Sequence, residues 1–382
     1  MPSKPYRIGD RKLWYIRVEL SPDPDGKRRQ RTLSGTTRKE VTAKQIALLR
    51  ELATGTALEP STLTTGAYLA RWLEEVVRPN KAVRTYEIRE SLVRVHIAPA
   101  LGPVLLTKLQ PAHISAMLAA IQRDGSAKTA LDVRTTLRIA LEHAVRKWQL
   151  IPQNVADRVD PPRYEPPPVA LWDEAQLAHF LAHNTGRRYS ALYRLALDTG
   201  LRQAEILGLR WADLDPARGF LTVRRQSQRT TTAGFVTKTT KGKRGRSVAL
   251  VAGTLAALQA HRVAQAAERE AAGAVWVEED RIFPSRTGGP QPRESLHDDW
   301  TRTIRGLGLP HITFHVLRHL HATYLLLEGV HPRIVADRLG HASTAITLEV
   351  YSHIMPSMQV QAAEAFERAM ARMTAPARTP EK

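Results

Sequence analysis

Between Leu13 and Leu20 the chain alternates, with Trp14, Ile16 and Val18 on one face. This period of two is the pattern of a half-buried strand. Ser21-Pro-Asp-Pro-Asp-Gly26 follows as a dense turn signal, and Arg28 to Ser34 reads as a second strand. Thr37 and Glu40 then have capping-box spacing, which predicts a helix to about Leu52. From residue 61 the period changes to that of helices, expected over about 65–78, 82–97, 111–123 and 127–148. Ser126 is placed to cap the last of these, which carries Leu131, Leu137, Leu141 and Val145 as an apolar stripe. Its other face shows Lys128, Arg134, Arg138 and Arg146, either an ordinary solvated surface or one that tracks phosphates.

Residues 150–170 hold six prolines, a stiff extended segment in which a domain boundary is expected. Beyond it, helices give way to a short β region at about 219–250 and then return. A final helix over about 357–373 would carry Val360, Phe366, Met370 and Met373 at near-helical spacing. The predicted fold class is α+β, mainly α. It comprises a small sheet-plus-helix unit over 1–60, a helical unit over 61–155, and a mostly helical unit with a small antiparallel sheet over 170–382.

Charge narrows the function. The 382 residues include 56 Lys and Arg against 37 Asp and Glu, a formal net charge of +19. Such an excess calls for a polyanionic partner, and nucleic acid is the common one. The first 50 residues carry 13 Lys and Arg against 5 Asp and Glu, so the N-terminal sheet is a candidate groove reader. No run of 18 apolar residues and no secretory signal is found, so no membrane association is expected. Cysteine is absent. That excludes disulfides, thiolate nucleophiles and Cys-bound zinc, and fits a reducing, cytoplasmic setting.

Four segments of the last unit carry candidate chemistry: Thr199-Gly-Leu-Arg202 with Glu205; Lys238-Thr-Thr-Lys-Gly-Lys-Arg-Gly-Arg246; His315-Val-Leu-Arg-His319; and Leu339-Gly-His341 followed by Tyr351. Each alone has a structural explanation. Together, in the order Arg, Lys, His-x-x-Arg, Leu-Gly-His, Tyr, they resemble the tyrosine recombinases, the phage and transposon integrases. The resemblance is strong over about 170–355 and weaker over the two N-terminal units, which are similar to arm-binding and core-binding domains.

The resemblance implies strand cleavage through a covalent 3′-phosphotyrosyl link. Tyr351 would be the nucleophile, and Arg202 and Arg318 a guanidinium clamp on the phosphate, with Glu205 as structural partner of the first. His315 would serve proton transfer and His341 a phosphate hydrogen bond. A hairpin lysine would protonate the leaving 5′-oxygen. Lys241, five before Arg246, is the preferred candidate, and Lys238 stays open. The residue types suit the task, because guanidinium stays charged and grips phosphate with paired hydrogen bonds. A tyrosine hydroxyl with a reference pKa near 10 needs help to ionise.

From Phe220 to Ala252 there are eight Lys and Arg and no acid, so this stretch should lie against DNA. Exchanging one phosphodiester for another conserves bond energy, so no cofactor, ATP or metal is expected, and no Walker-type loop is present. The implied partners are double-stranded DNA at core and arm sites and further copies of the chain, four on two duplexes. The resemblance also allows for an accessory DNA-bending or directionality factor.

Three other readings fit the sequence less well. A zinc hydrolase on His315 and His319 lacks the Glu that should follow the first His; Val316 is there. A type IB topoisomerase would use similar groups without the integrase-like N-terminal units. A non-catalytic DNA binder would have no need of Tyr351.

Overall fold

The computed structural model describes residues 4–7, 12–20, 28–53, 62–239, 245–341 and 343, with 363, 364, 366–368, 370 and 373 near the C-terminus. It divides into two compact units, residues 1–166 and 167–382. No helix among the described residues is long and apolar enough to cross a membrane.

The first unit opens with a three-stranded antiparallel sheet of Tyr6–Arg7, Trp14–Leu20 and Arg29–Gly35. Ile16 and Val18 face inward at 0% and 4% exposure, as the alternation required, and Trp14 is half-buried. The helix Arg38–Ala53 follows. Thr37 Oγ1 accepts from the Glu40 amide, but the Glu40 carboxylate reaches back to the Thr36 amide rather than to Thr37, so the cap is one residue out of register with the predicted box. The turn expected at 21–26 lies outside the described residues.

Next come the helices predicted from the 3.6-residue period. Two of them run through a proline. Thr65–Trp72 continues through a widened turn, Leu73–Val77, to Arg78–Asn80, and Val83–Leu92 continues through Val93–Ile97 to Ala98–Leu101. In each case the amide just before the proline bonds five residues back, Arg78 to Leu73 and Ala98 to Val93. The wider turn makes room for the rings of Pro79 and Pro99, which would otherwise clash with the preceding turn. These helices therefore extend past the ends predicted at residues 78 and 97.

Pro111–Asp124 and Ala127–Arg146 complete the bundle. Ser126 caps the latter by accepting from the Lys128 amide. Its buried line is Ala130, Val133, Leu137, Ala140, Leu141 and Ala144, while Leu131 and Val145 are half-buried at the edge. The basic face is occupied internally. Arg134 donates to the carbonyls of Val159 and Ala156, Arg138 pairs with Asp157, Lys128 with Asp132, and Arg146 with Glu142. The structural reading of that face is thus favoured over a phosphate track.

The second unit is mostly helical: Glu174–His183, Ser190–Thr199, Gln203–Ile206, Ala252–Ala272, Arg293–Gly306, Val316–Leu327 and Pro332–Leu339. Between them Leu214–Asp215, Phe220–Val223 and Arg246–Ala249 form a three-stranded antiparallel sheet, and Arg225–Thr230 pairs with Gly234–Thr239 as a separate ribbon. The core is aromatic. Trp300 is fully buried against Trp172, Phe180, Tyr193 and Phe314, and its indole N–H donates to the Ile312 carbonyl at 2.7 Å. Helix residues near the C-terminus leave Phe366, Met370 and Met373 exposed; Val360 lies outside the described residues.

Trp300→Ala removes the ring on which four other aromatics pack. It should destabilise the second unit by about 3–5 kcal/mol, read as a drop in the urea midpoint of a tryptophan-fluorescence or circular dichroism transition.

Candidate active site

Two helices of the second unit end on a glycine in the left-handed conformation: Ser190–Thr199 on Gly200 (φ 62°) and Pro332–Leu339 on Gly340 (φ 68°). Few other residues adopt this backbone cheaply. The space forbids them as well. A Cβ on Gly200 would lie 2.5 Å from Leu339 Cδ2, and one on Gly340 would lie 2.7 Å from Arg246 Nη1. The two helix ends therefore meet closely, and the Thr-Gly and Leu-Gly dipeptides of the sequence mark that junction.

Arg318, on the helix Val316–Leu327, is 4% exposed at the junction. Its Nη1 donates to the carbonyl of Gly200 at 2.8 Å and to that of Leu339 at 2.9 Å. A helix C-terminus carries partial negative charge and unpaired carbonyls. A guanidinium that bridges two such ends satisfies both.

Arg202 follows Gly200 by two residues and caps the short helix Gln203–Ile206. Its Nη1 donates to Glu205 Oε1 at 3.1 Å and its Nη2 to the Gly340 carbonyl at 3.3 Å, with 41% of the side chain exposed. Glu205 is buried and takes a two-pronged contact from Arg246, at 2.9 and 2.7 Å. Burial alone would raise the Glu205 pKa. The Arg246 hydrogen bonds and charge, together with Arg202, outweigh it and hold the carboxyl below its ordinary value. One carboxylate thus sets two guanidiniums, and Arg246 Nε also donates to the Arg338 carbonyl at 3.0 Å.

His315 and His341 lie in the same electrostatic neighbourhood. Burial, then the charges of His319, Arg318, Arg202 and Arg293, push His315 down to about 4. Burial, then Arg318, Arg202, His319 and Arg246, push His341 down to about 4. The His315 and His319 rings stand perpendicular with centroids 5.1 Å apart. Both candidate histidines are therefore neutral near pH 7, well away from the reference titration near 6.5. A neutral imidazole can accept a proton or donate one hydrogen bond, and an arriving anion would raise its basicity.

Of the six candidates, Arg202, His315, Arg318 and His341 are brought together. Lys241 and Tyr351 lie outside the described residues. Lys238 is on the ribbon strand Gly234–Thr239, opposite Gln226. No group of three or more His, Asp or Glu side chains among the described residues could hold a metal ion.

Residues 173–358 match the model of the phage integrase family. A tyrosine recombinase XerC-like protein of Caldanaerobacter subterraneus subsp. tengcongensis is 26% identical over 95% of this chain and 98% of its own length. An integrase of Streptomyces ambofaciens is 29% identical over 92% of each. The segment 173–358 belongs to the phage integrase family of tyrosine recombinases.

The recombinase also resembles the fold of the Tn1549 transposon integrase, solved with a circular intermediate DNA, at TM-score 0.66 and 23% identity over 76% of this chain and 95% of that one. It resembles lambda integrase, solved as a tetramer on a Holliday junction, at TM-score 0.56 and 20% identity over 91% and 95%.

In the sequence Arg246 serves only as the spacing mark for Lys241, with no expected place at the site of the recombinase. The signal for it was indirect. A buried Glu205 beside Arg202 had room for a second cation, and the eight-cation, acid-free stretch was the place to seek it.

The depressed histidines have a thermodynamic consequence. Between about pH 4 and the ordinary imidazole value near 6.5, the unfolded chain binds protons that the folded recombinase does not. Their contribution to stability is complete above about pH 6.5 and is lost as the pH falls toward about 4. The urea midpoint should drop between pH 7 and pH 5, and less steeply in the double variant H315Q/H341Q. An equal slope in both proteins would contradict the assignment.

Proposed function

We propose that this recombinase cuts and rejoins double-stranded DNA at specific sites through a 3′-phosphotyrosyl bond to Tyr351. The observation that supports this best is the meeting of Arg202, Arg318, His315 and His341, which come from segments more than a hundred residues apart in the chain. Such a concentration of positive charge around neutral imidazoles suits one anionic phosphate.

In this reading Arg202 offers the accessible guanidinium to the non-bridging oxygens, where charge builds in the transition state. Arg318, oriented by two helix-end carbonyls, adds its positive field. His315 takes the phenolic proton, and His341 donates a hydrogen bond to the phosphate. Lys241 delivers the proton to the leaving 5′-oxygen, with Lys238 as the alternative. Resealing reverses these steps with a new 5′-hydroxyl. Glu205 and Arg246 hold Arg202 in place.

Residues 1–60 would bind arm sites and residues 61–155 the core site. The relatives' named roles as integrases and transposases of mobile elements support integration or excision of such an element. Four copies would act on two duplexes. The exposed Phe366, Met370 and Met373 support a contact between neighbours by the C-terminal helix.

The test is a nicked duplex carrying the sequence that the protein protects from nuclease beside its own gene. A covalent adduct that resists denaturant and maps to Tyr351 is expected, with Tyr351→Phe forming none while binding as tightly. Tight binding without adduct in the wild type would favour a DNA binder. Relaxation of arbitrary supercoiled plasmids by a monomer would favour a topoisomerase.

Truncation after residue 356 should abolish junction formation between two duplexes while leaving single-site binding within about twofold, as expected for sites that act independently. Assembly on gels that is unchanged by the truncation would remove the C-terminal helix from that role.

A further inference from the structure

A fourth arginine, beside Arg202, Arg246 and Arg318, works at the junction that carries the site. Arg338 precedes Leu339 in the helix Pro332–Leu339. Its Nη2 donates to the Asp198 carbonyl at 2.9 Å and to the Ala249 carbonyl at 3.1 Å, and its Nε donates to His321 Nε2 at 3.0 Å. His321 is buried one turn beyond Arg318 on the helix Val316–Leu327, and it also bonds the Leu197 backbone. Gly200 packs on this ring so closely that a Cβ there would lie 2.8 Å from His321 Cδ2.

The acceptors come from three elements: the end of the helix Ser190–Thr199, the end of the strand Arg246–Ala249, and the helix Val316–Leu327. A guanidinium is a planar fork with fixed donor directions, so it can satisfy all three in one arrangement only. A ring that accepts from Arg338 at Nε2 must also be neutral there, and burial and the Arg338 charge keep it so. Arg202 lies four residues past Asp198, and His341 lies three past Arg338. Any slip between the two helices therefore moves a clamp arginine relative to a site histidine.

We propose that Arg338, seated on His321, is a positioning residue that sets the register between the helix delivering Arg202 and the helix delivering His341, without itself touching DNA. This rests on the strand-transfer reading of the site. Its Nε and Nη2 are committed to protein acceptors, which sets it apart from the half-exposed Arg202. Misplacing a reacting group by about 1 Å can cost about 100-fold in rate, so the register should govern the chemical step and leave DNA affinity alone.

The full-length protein and the same nicked duplex provide the test. Adduct formation is followed in single turnover at saturating duplex, with Kd at two salt concentrations and the melting temperature measured beside it. R338Q and H321L should slow adduct formation about 10- to 100-fold, with Kd and its salt dependence unchanged and melting still above the assay temperature. H321Q keeps an acceptor for Arg338 and should recover much of the rate lost in H321L.

Wild-type rates in R338Q, beside an active wild type, would overturn the proposal. So would weaker binding with a shallower salt slope and an unchanged saturated rate, which would make Arg338 a phosphate contact. A rate restored merely by cooling a partly unfolded variant would reduce the residue to fold support. A wild type that forms no adduct would overturn the strand-transfer reading, and this inference with it.

Discussion

Two helices stop at one place, and a buried cation holds their ends. Each helix end leaves carbonyls without amide partners, and Arg318 takes one from Gly200 and one from Leu339. A buried cation is costly unless its donors are engaged, and here two helix-end carbonyls and their dipoles hold its Nη1. Once the two ends are tied, Arg202 and His341 are delivered to the same place, because each lies two residues beyond a tied carbonyl. The glycines between are required both by their backbone angles and by the absence of room for a Cβ.

The same closeness explains the electrostatics. Arg202 and Arg246 share one buried carboxylate, Glu205, and Arg318 adds a third cation near the candidate histidines. Charge is thus left over, and it falls on the histidines. Their protonated forms are disfavoured first by burial and then by the guanidiniums. Such a site suits an anion, which would relieve the repulsion between cations and restore basicity to the imidazoles in one event.

Much of the fold was legible because local patterns carry it. The strand at Leu13–Leu20, the helix capped at Ser126 and the β interval near 219–250 follow from period, caps and turn residues. The misreadings were local as well. Helices expected to end at about 78 and 97 run on, because a single widened turn before Pro79 and Pro99 absorbs the ring and lets the helix pass. The basic face of Ala127–Arg146 was ambiguous until its partners, Asp157 and the carbonyls of Ala156 and Val159, came into view from outside the helix.

By itself the sequence determined the order and chemical type of the candidates: which arginines, which histidines, which tyrosine, and a cationic stretch between them. Covalent order and side-chain chemistry suffice for that. The tertiary structure decided that Arg246 shares Glu205 with Arg202, that Arg318 is spent on helix ends as much as on any ligand, that the histidines are neutral, and that Arg338 braces the junction through His321. These depend on contacts across 17 to 140 residues of chain and on exclusion of water. Hydrogen-bond geometry and burial are properties of packed neighbours, and no local pattern records them.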